Sequence, residues 1–169
     1  MLRKRIIPIV LLDGFSVLKT IGFSERRNLG SPITVVRTYN TRNVDELILL
    51  DIDASSNGEP IDRFLLRDIT KECFMPLSVG GGIKSIKDIE ALLKVGADKV
   101  VINTQALIAP EFISEAASIF GSQCIVVSID TVLSDGNYKV FNKNIDHLDL
   151  DLFKWVKTVE QLGAGEILI

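Results

Sequence analysis

Strand-like and helix-like stretches alternate along the whole of this chain, and that rhythm limits the fold more than any single residue does. Ile6–Leu12 is almost wholly apolar, as a strand buried on both faces must be. A long loop follows from Asp13 to Gly30, and Ser31-Pro32 then opens a helix that runs to about Arg42. Glu46–Asp51 is the second strand. Asn57-Gly58 marks a turn, and Pro60 starts a helix with apolar faces at Ile61, Phe64, Leu65 and Ile69. Met75–Val79, Lys99–Ile102 and Cys124–Ile129 are strands three to five. The helices between them carry Ile86, Ile89, Leu92 and Leu93, then Phe112, Ile113, Ala116 and Phe120; Gly96 and Gly121 close them. The rhythm breaks once, where Asp135-Gly136-Asn137 before Tyr138–Phe141 predicts a hairpin inserted after strand five. A helix on Leu152, Val156, Val159 and Leu162 then leads to a sixth strand at Glu166–Ile169. This order calls for a parallel sheet with crossover helices.

Within that order one stretch stands out, Leu77-Ser-Val-Gly-Gly-Gly-Ile-Lys-Ser85. Gly80, Gly81 and Gly82 follow a strand directly and can take backbone angles closed to other residues, so their amides can converge on one point. A helix begins at once, with Ser85 as N-cap and Asp88 three residues on, in capping-box spacing. Amides beside a helix N-terminus suit a phosphate. A plain strand-to-helix turn would use the same residues.

Composition narrows the partners. With 169 residues, 47% hydrophobic and 24% charged at a net charge of −3, there is material for one globular core and no basic excess to attract nucleic acid or an anionic membrane. The basic N-terminus precedes an apolar run, but that run is too short for a signal peptide and ends in Asp13-Gly14 without a small-residue cleavage site. A cytoplasmic protein is expected. Cys73 and Cys124 lack metal spacing and read as core thiols in a reducing compartment. His147, the only histidine, sits beside Asp146 and Asp149 in the inserted loop and is expected to be solvent-exposed and uninvolved. No metal and no cofactor is called for.

Val44-Asp-Glu46-Leu-Ile-Leu49 and Ala164-Gly-Glu166-Ile-Leu-Ile169 correspond, each a similar distance after an apolar strand. A doubly wound sheet and a (β/α)8 barrel both accommodate six βα steps; the repeat favours a barrel built of two duplicated halves. The fold class is therefore α/β, of (β/α)8 TIM-barrel type but incomplete, as a single partial domain over residues 1–169. Such barrels run to about 250 residues, so two strands are missing and the chain is expected to be cut inside an element.

Read together, these features are similar to the cyclase-subunit family of imidazole glycerol phosphate synthase. The matching motifs run from Lys4 to Ile169: Lys4-Arg-Ile-Ile-Pro8, Leu50-Asp-Ile-Asp-Ala-Ser55, Val79-Gly-Gly-Gly-Ile83, Gly96-Ala-Asp-Lys-Val100, Ile102-Asn103, Phe120-Gly-Ser-Gln-Cys124, Ile129-Asp130 and Gly163-Ala-Gly-Glu-Ile-Leu168. The resemblance implies a barrel that receives ammonia from a glutaminase subunit at its N-terminal face and uses it on a phosphosugar-type substrate at its C-terminal face. It implies phosphate contacts at Gly82, Asn103 and Thr104 and a loop lysine, Lys19, that closes over substrate. Arg5, Glu46, Lys99 and Glu166 match a charged ammonia gate, although salt bridging at strand starts would also explain them.

The family uses two aspartates at the ends of strands one and five. Asp130 matches the second, a position suited to proton transfer, although an Asp after a strand is also a common turn residue. At the first, where the family reads Cys-Leu-Asp-Val-Lys-Asp-Gly, this chain reads Ile9-Val-Leu-Leu-Asp13-Gly14 and places Leu11 in the catalytic slot. Asp13 could serve only with the loop realigned. In this region the chain resembles more closely a side branch, the glycosyl amidation-associated proteins of surface-polysaccharide pathways. It shares their apolar first strand, Lys19-Thr20, Asp51-Ile-Asp-Ala-Ser55 and Glu72-Cys-Phe-Met-Pro76. That likeness implies ammonia delivery alongside a glutaminase and a sugar amidotransferase. A histidine-pathway cyclase and a non-catalytic, glutaminase-activating ammonia conduit remain the rival readings.

Overall fold

A computed structural model describes residues 4–21, 25–146 and 148–169. The expectation for His147 concerns a residue outside that set. The chain has two compact units, 1–100 and 101–169, with the boundary inside one strand.

In the first unit the elements are β1 (Ile9–Asp13), β2 (Ser16–Ile21), β3 (Glu25–Gly30), α1 (Pro32–Thr41), β4 (Leu47–Asp51), α2 (Ala54–Asn57), α3 (Arg63–Glu72), β5 (Leu77–Gly80), α4 (Ile86–Val95) and the start of β6 (Lys99–Ile102). Strand β1 pairs in parallel with β4, and β4 with β5, in the registers Leu11↔Leu50 and Leu49↔Val79. Val10, Leu12, Leu47, Leu49 and Val79 are buried, with Leu66, Ile69, Ile89 and Leu92 from α3 and α4. These nearly continuous apolar strands are those of a sheet covered by its crossover helices.

Two local expectations change. Asp13 to Gly30 is not plain loop: β2 and β3 form an antiparallel extension on the edge of β1, with Leu11 opposite Leu18 and Lys19 opposite Arg27. All of β3 is exposed and strongly polar, so hydrophobic patterning could not reveal it. The helix expected from Pro60 begins at Arg63, where Asp62 caps the Leu65 amide at 2.8 Å. Its buried residues are Leu66 and Ile69, whereas Phe64 is 74% exposed. Ile61 is buried too, ahead of the helix.

The second unit continues from β6 through α5 (Thr104–Ile108), α6 (Glu111–Phe120), a short 3-10 turn, β7 (Ile125–Ser128), β8 (Asp130–Ser134), β9 (Asn137–Phe141), α7 (Leu152–Gln161) and β10 (Glu166–Leu168). β10 runs parallel to β7. Ile113, Ala116, Ile125, Val127, Trp155 and Val159 are buried here. The hairpin after the fifth parallel strand is present as β8 and β9. Its two-residue turn, Asp135-Gly136, has φ of 51° and 79°, the left-handed pair that a type I′ turn needs. The alternation within each unit is that of an incomplete (β/α)8-type fold. Cys73 and Cys124 are free and half-buried. Burial raises the Cys73 thiol pKa.

Candidate active site

Parallel strands place their ends on opposite sides of a sheet, and the candidate residues sort by strand end. Glu46, Lys99 and Glu166 stand at or just before the starts of β4, β6 and β10; Asp13, Gly80, Asn103 and Asp130 stand at or just after the ends of β1, β5, β6 and β7.

At the strand starts of the first unit, Glu46 receives two cations. Its Oε1 pairs with Arg5 Nη1, and its Oε2 lies 2.8 Å from Lys99 Nζ. The Glu46 and Lys99 side chains are only 9% and 15% exposed. Charges this far from water persist because they are paired. Three of the four predicted gate residues are therefore one ion cluster. Glu166 lies in the second unit, opposite Val126 in the β7–β10 ladder.

At the strand ends, the glycine run is shaped by close approach. Gly81 and Gly82 have φ of 118° and 66°, and a Cβ on either would collide with a backbone carbonyl, that of Asp51 or of Glu59 respectively. The capping box forms as expected: Asp88 N donates to Ser85 Oγ at 3.3 Å, and the Ser85 and Lys84 amides donate to Asp88 Oδ2 at 2.9 and 3.1 Å. The Asp88 carboxylate thus holds the amide of the cap residue and the one before it, just ahead of α4.

Leu11 lies in the middle of β1, between Leu18 and Leu50. Alternation puts it on the same face as Ile9 and Asp13, the less buried face; Val10 and Leu12 fill the other. Asp13 is the last residue of β1 and lies 3.3 Å from Arg26 Nη1. Lys19 and Leu11 both line a cleft of about 720 Å³ beside β1 and β2.

Sequence reasoning assigned no role to a carboxylate pair at the end of β4, Asp51 and Asp53. Asp51 Oδ1 accepts from the amides of Asp53 and Ala54, each at 3.0 Å, fixing the turn into α2. Burial raises its pKa, against those two amides. Asp53 in turn takes the fork of Arg26.

In the second unit, Asn103 and Asp130 come together, with Asn103 Nδ2 donating to Asp130 Oδ2 at 3.0 Å. Burial raises the Asp130 pKa; the Asn103 bond and the charge of Lys143 oppose it. Asn142, which sequence reasoning also missed, donates to Asn103 Oδ1 at 3.0 Å and Thr104 Oγ1 at 3.2 Å. The turn carried a signal for it. Counting outward from Asp135-Gly136 places Phe141 opposite Asp130, and Asn142 one step beyond. Together these side chains offer a raised carboxyl beside amide and hydroxyl groups, an arrangement suited to proton transfer next to a polar or anionic ligand. Among the described residues, no group of three or more His, Cys, Asp or Glu is placed to hold a metal ion. Nor is any described helix long and apolar enough to cross a membrane.

The model of the histidine biosynthesis protein family matches residues 5–169. A Campylobacter jejuni protein provisionally named imidazole glycerol phosphate synthase subunit hisF2 is 47% identical over all of this chain and 67% of its own length. A Vibrio vulnificus protein of the same provisional name is 44% identical, with all of this chain and 62% of the relative covered. An Exiguobacterium imidazole glycerol phosphate synthase subunit HisF is also 44% identical, with 67% of its length covered. The chain thus spans about two thirds of the length of these relatives, 62–67%.

Proposed function

The chain belongs to the histidine biosynthesis protein family, and from that premise we propose that it is a cyclase-like synthase subunit that takes glutamine-derived ammonia from a glutaminase and supports amidation of a nucleotide-linked sugar in surface-polysaccharide biosynthesis. The observation that carries this reading is Leu11. It stands in the middle of β1 between two other leucines, where ring closure would need a carboxylate. Leucine cannot move a proton.

In this reading the glutaminase docks at the strand starts, in the cytoplasm. Arg5, Glu46 and Lys99 act as an ammonia gate, and Glu166 has the same role at the start of β10. Lys19, Gly80, Gly81 and Gly82 are assigned to binding a phosphosugar-type substrate, and Asn103 and Thr104 to binding phosphate. Asp130 exchanges protons with the reacting nitrogen, since a carboxyl raised by burial takes up a proton more readily than one in water. The sugar amidotransferase completes the transfer.

A second reading, the histidine-pathway cyclase, draws on Asp13, which shares a face with Leu11 at the end of β1. The two separate in one assay: the full chain with ammonia and the histidine-pathway substrate, followed by absorbance. Sugar amidation predicts almost no ring closure, together with ammonia-dependent product when the amidotransferase is present. Robust ring closure would overturn it and make Asp13 the second carboxylate. A conduit without catalysis differs again, because Asp130→Asn would then leave product formation unchanged.

A further inference from the structure

Asn142 follows β9 in the second unit, is 5% exposed, and takes no part in the scheme above. A polar side chain this buried needs partners, and here the partners fix a direction. The backbone N–H of Asn144 donates to Asn142 Oδ1 at 2.9 Å. The Asn142 amide nitrogen therefore faces the other way, where it donates to Asn103 Oδ1 at 3.0 Å and Thr104 Oγ1 at 3.2 Å. Those two bonds determine what comes next. With its oxygen engaged, Asn103 must present its NH2 to Asp130, whose Oδ2 accepts at 3.0 Å. That NH2 keeps one further N–H. Thr104 Oγ1, as an acceptor, keeps its hydroxyl proton for another group.

We propose that Asn142 is a positioning residue that sets the Asn103 amide and the Thr104 hydroxyl as donors, steadying Asp130 as a carboxylate and aligning two donors on an anionic ligand group. The proposal rests on the reading of Asn103 and Thr104 as phosphate contacts and of Asp130 as the proton-transfer group. It assigns a task to the inserted hairpin: the Asp135-Gly136 turn sets the register that delivers Asn142 beside Asp130. A residue that merely anchored the hairpin would hold the same place without affecting the titration of Asp130.

The test uses the full chain, with inorganic phosphate as probe and two variants. Asn142→Ala removes both donor bonds. Asn142→Leu does so while keeping the volume, which guards against collapse of the hairpin. Lys143, the charged group facing Asp130, is unchanged in both. The titration midpoint of the Asp130 carboxyl, read by NMR, is expected to rise by about one pH unit in either variant. Phosphate affinity, read from the Asn103 and Thr104 amide signals, is expected to fall about five- to tenfold. An unchanged Asp130 midpoint in a folded variant overturns the proposal, even if wild-type chain binds phosphate. A raised midpoint upholds the positioning role even if wild-type chain binds none, and in that case the phosphate reading of Asn103 and Thr104 is what fails.

Discussion

The Arg26 guanidinium grips the Asp53 carboxylate with both terminal nitrogens, at 2.5 and 2.7 Å, and its Nη1 also lies 3.3 Å from Asp13 Oδ2. One side chain on β3 thereby ties the edge hairpin to the end of β1 and to the turn after β4. The hydrogen bonds that it donates to Asp53 push the already high guanidinium pKa further up. The cluster is exposed, so water and salt screen it. Arg26→Ala should leave the unfolding temperature almost unchanged while speeding amide hydrogen exchange across Glu25–Gly30. Equal exchange in both proteins would mean that the ladder to β2 alone holds this strand.

The cluster at the strand starts should behave differently, because Glu46 and Lys99 are largely removed from water. Lys99→Ala leaves the buried Glu46 carboxylate with one of its two ion-pair partners removed and Arg5 still in place, at a cost of about 1–3 kcal/mol in denaturant unfolding. In the proposed function it should also uncouple glutamine hydrolysis from product formation, with the fold retained. Stoichiometric product per glutamine in this variant would remove Lys99 from the gate.

Gly82 is fixed by space before any ligand is considered. With φ of 66° and the Glu59 carbonyl in the way of a Cβ, Gly82→Ala should cost about 2–3 kcal/mol. Thermal denaturation should show a fall of roughly 5–10 °C. Introducing a carboxylate there to repel a phosphate would therefore weaken the fold as well, and ligand affinity in such a variant must be read on protein shown to be folded. An Ala variant as stable as wild type would mean that the turn can move away from Glu59.

Asp130 gives a pH dependence with a definite sign. Its folded pKa is raised by burial above the ordinary 3.8, so the folded state resists ionisation more than the unfolded chain does. Well below 3.8 both states hold the proton and the carboxyl costs nothing. As the pH climbs through 3.8 to the folded value, the charged form increasingly disfavours the fold, and the penalty is complete above it. Asp130→Asn should therefore match wild type in stability near pH 3 and exceed it near pH 7, while losing activity. Denaturant melts at the two pH values check this; an equal difference at both would exclude burial of the charge as the cause.

The parallel strands, the capping box at Ser85 and Asp88, and the Asp135-Gly136 hairpin were legible because each is written in neighbouring residues. Apolar runs, cap spacing and turn chemistry act over a few positions. The edge hairpin was not legible, because β3 is mostly polar, wholly exposed and a strand only by pairing with β2. The start of α3 was lost because Pro60 is a plausible first residue, whereas Asp62 is the residue that caps the helix through the Leu65 amide.

At the candidate site the division is sharper. The sequence by itself determined which chemical groups are available: three consecutive glycines, Asp130, the Asn103-Thr104 pair, and a leucine at position 11 where a carboxylate is expected. Only the tertiary structure decided their states. It paired Glu46 with Arg5 and Lys99 across 41 and 53 residues of sequence. It brought Asn142 across 39 residues to orient Asn103. Burial, hydrogen-bond direction and ion pairing depend on groups that are distant in the chain, whereas local sequence specifies only what each group is able to do.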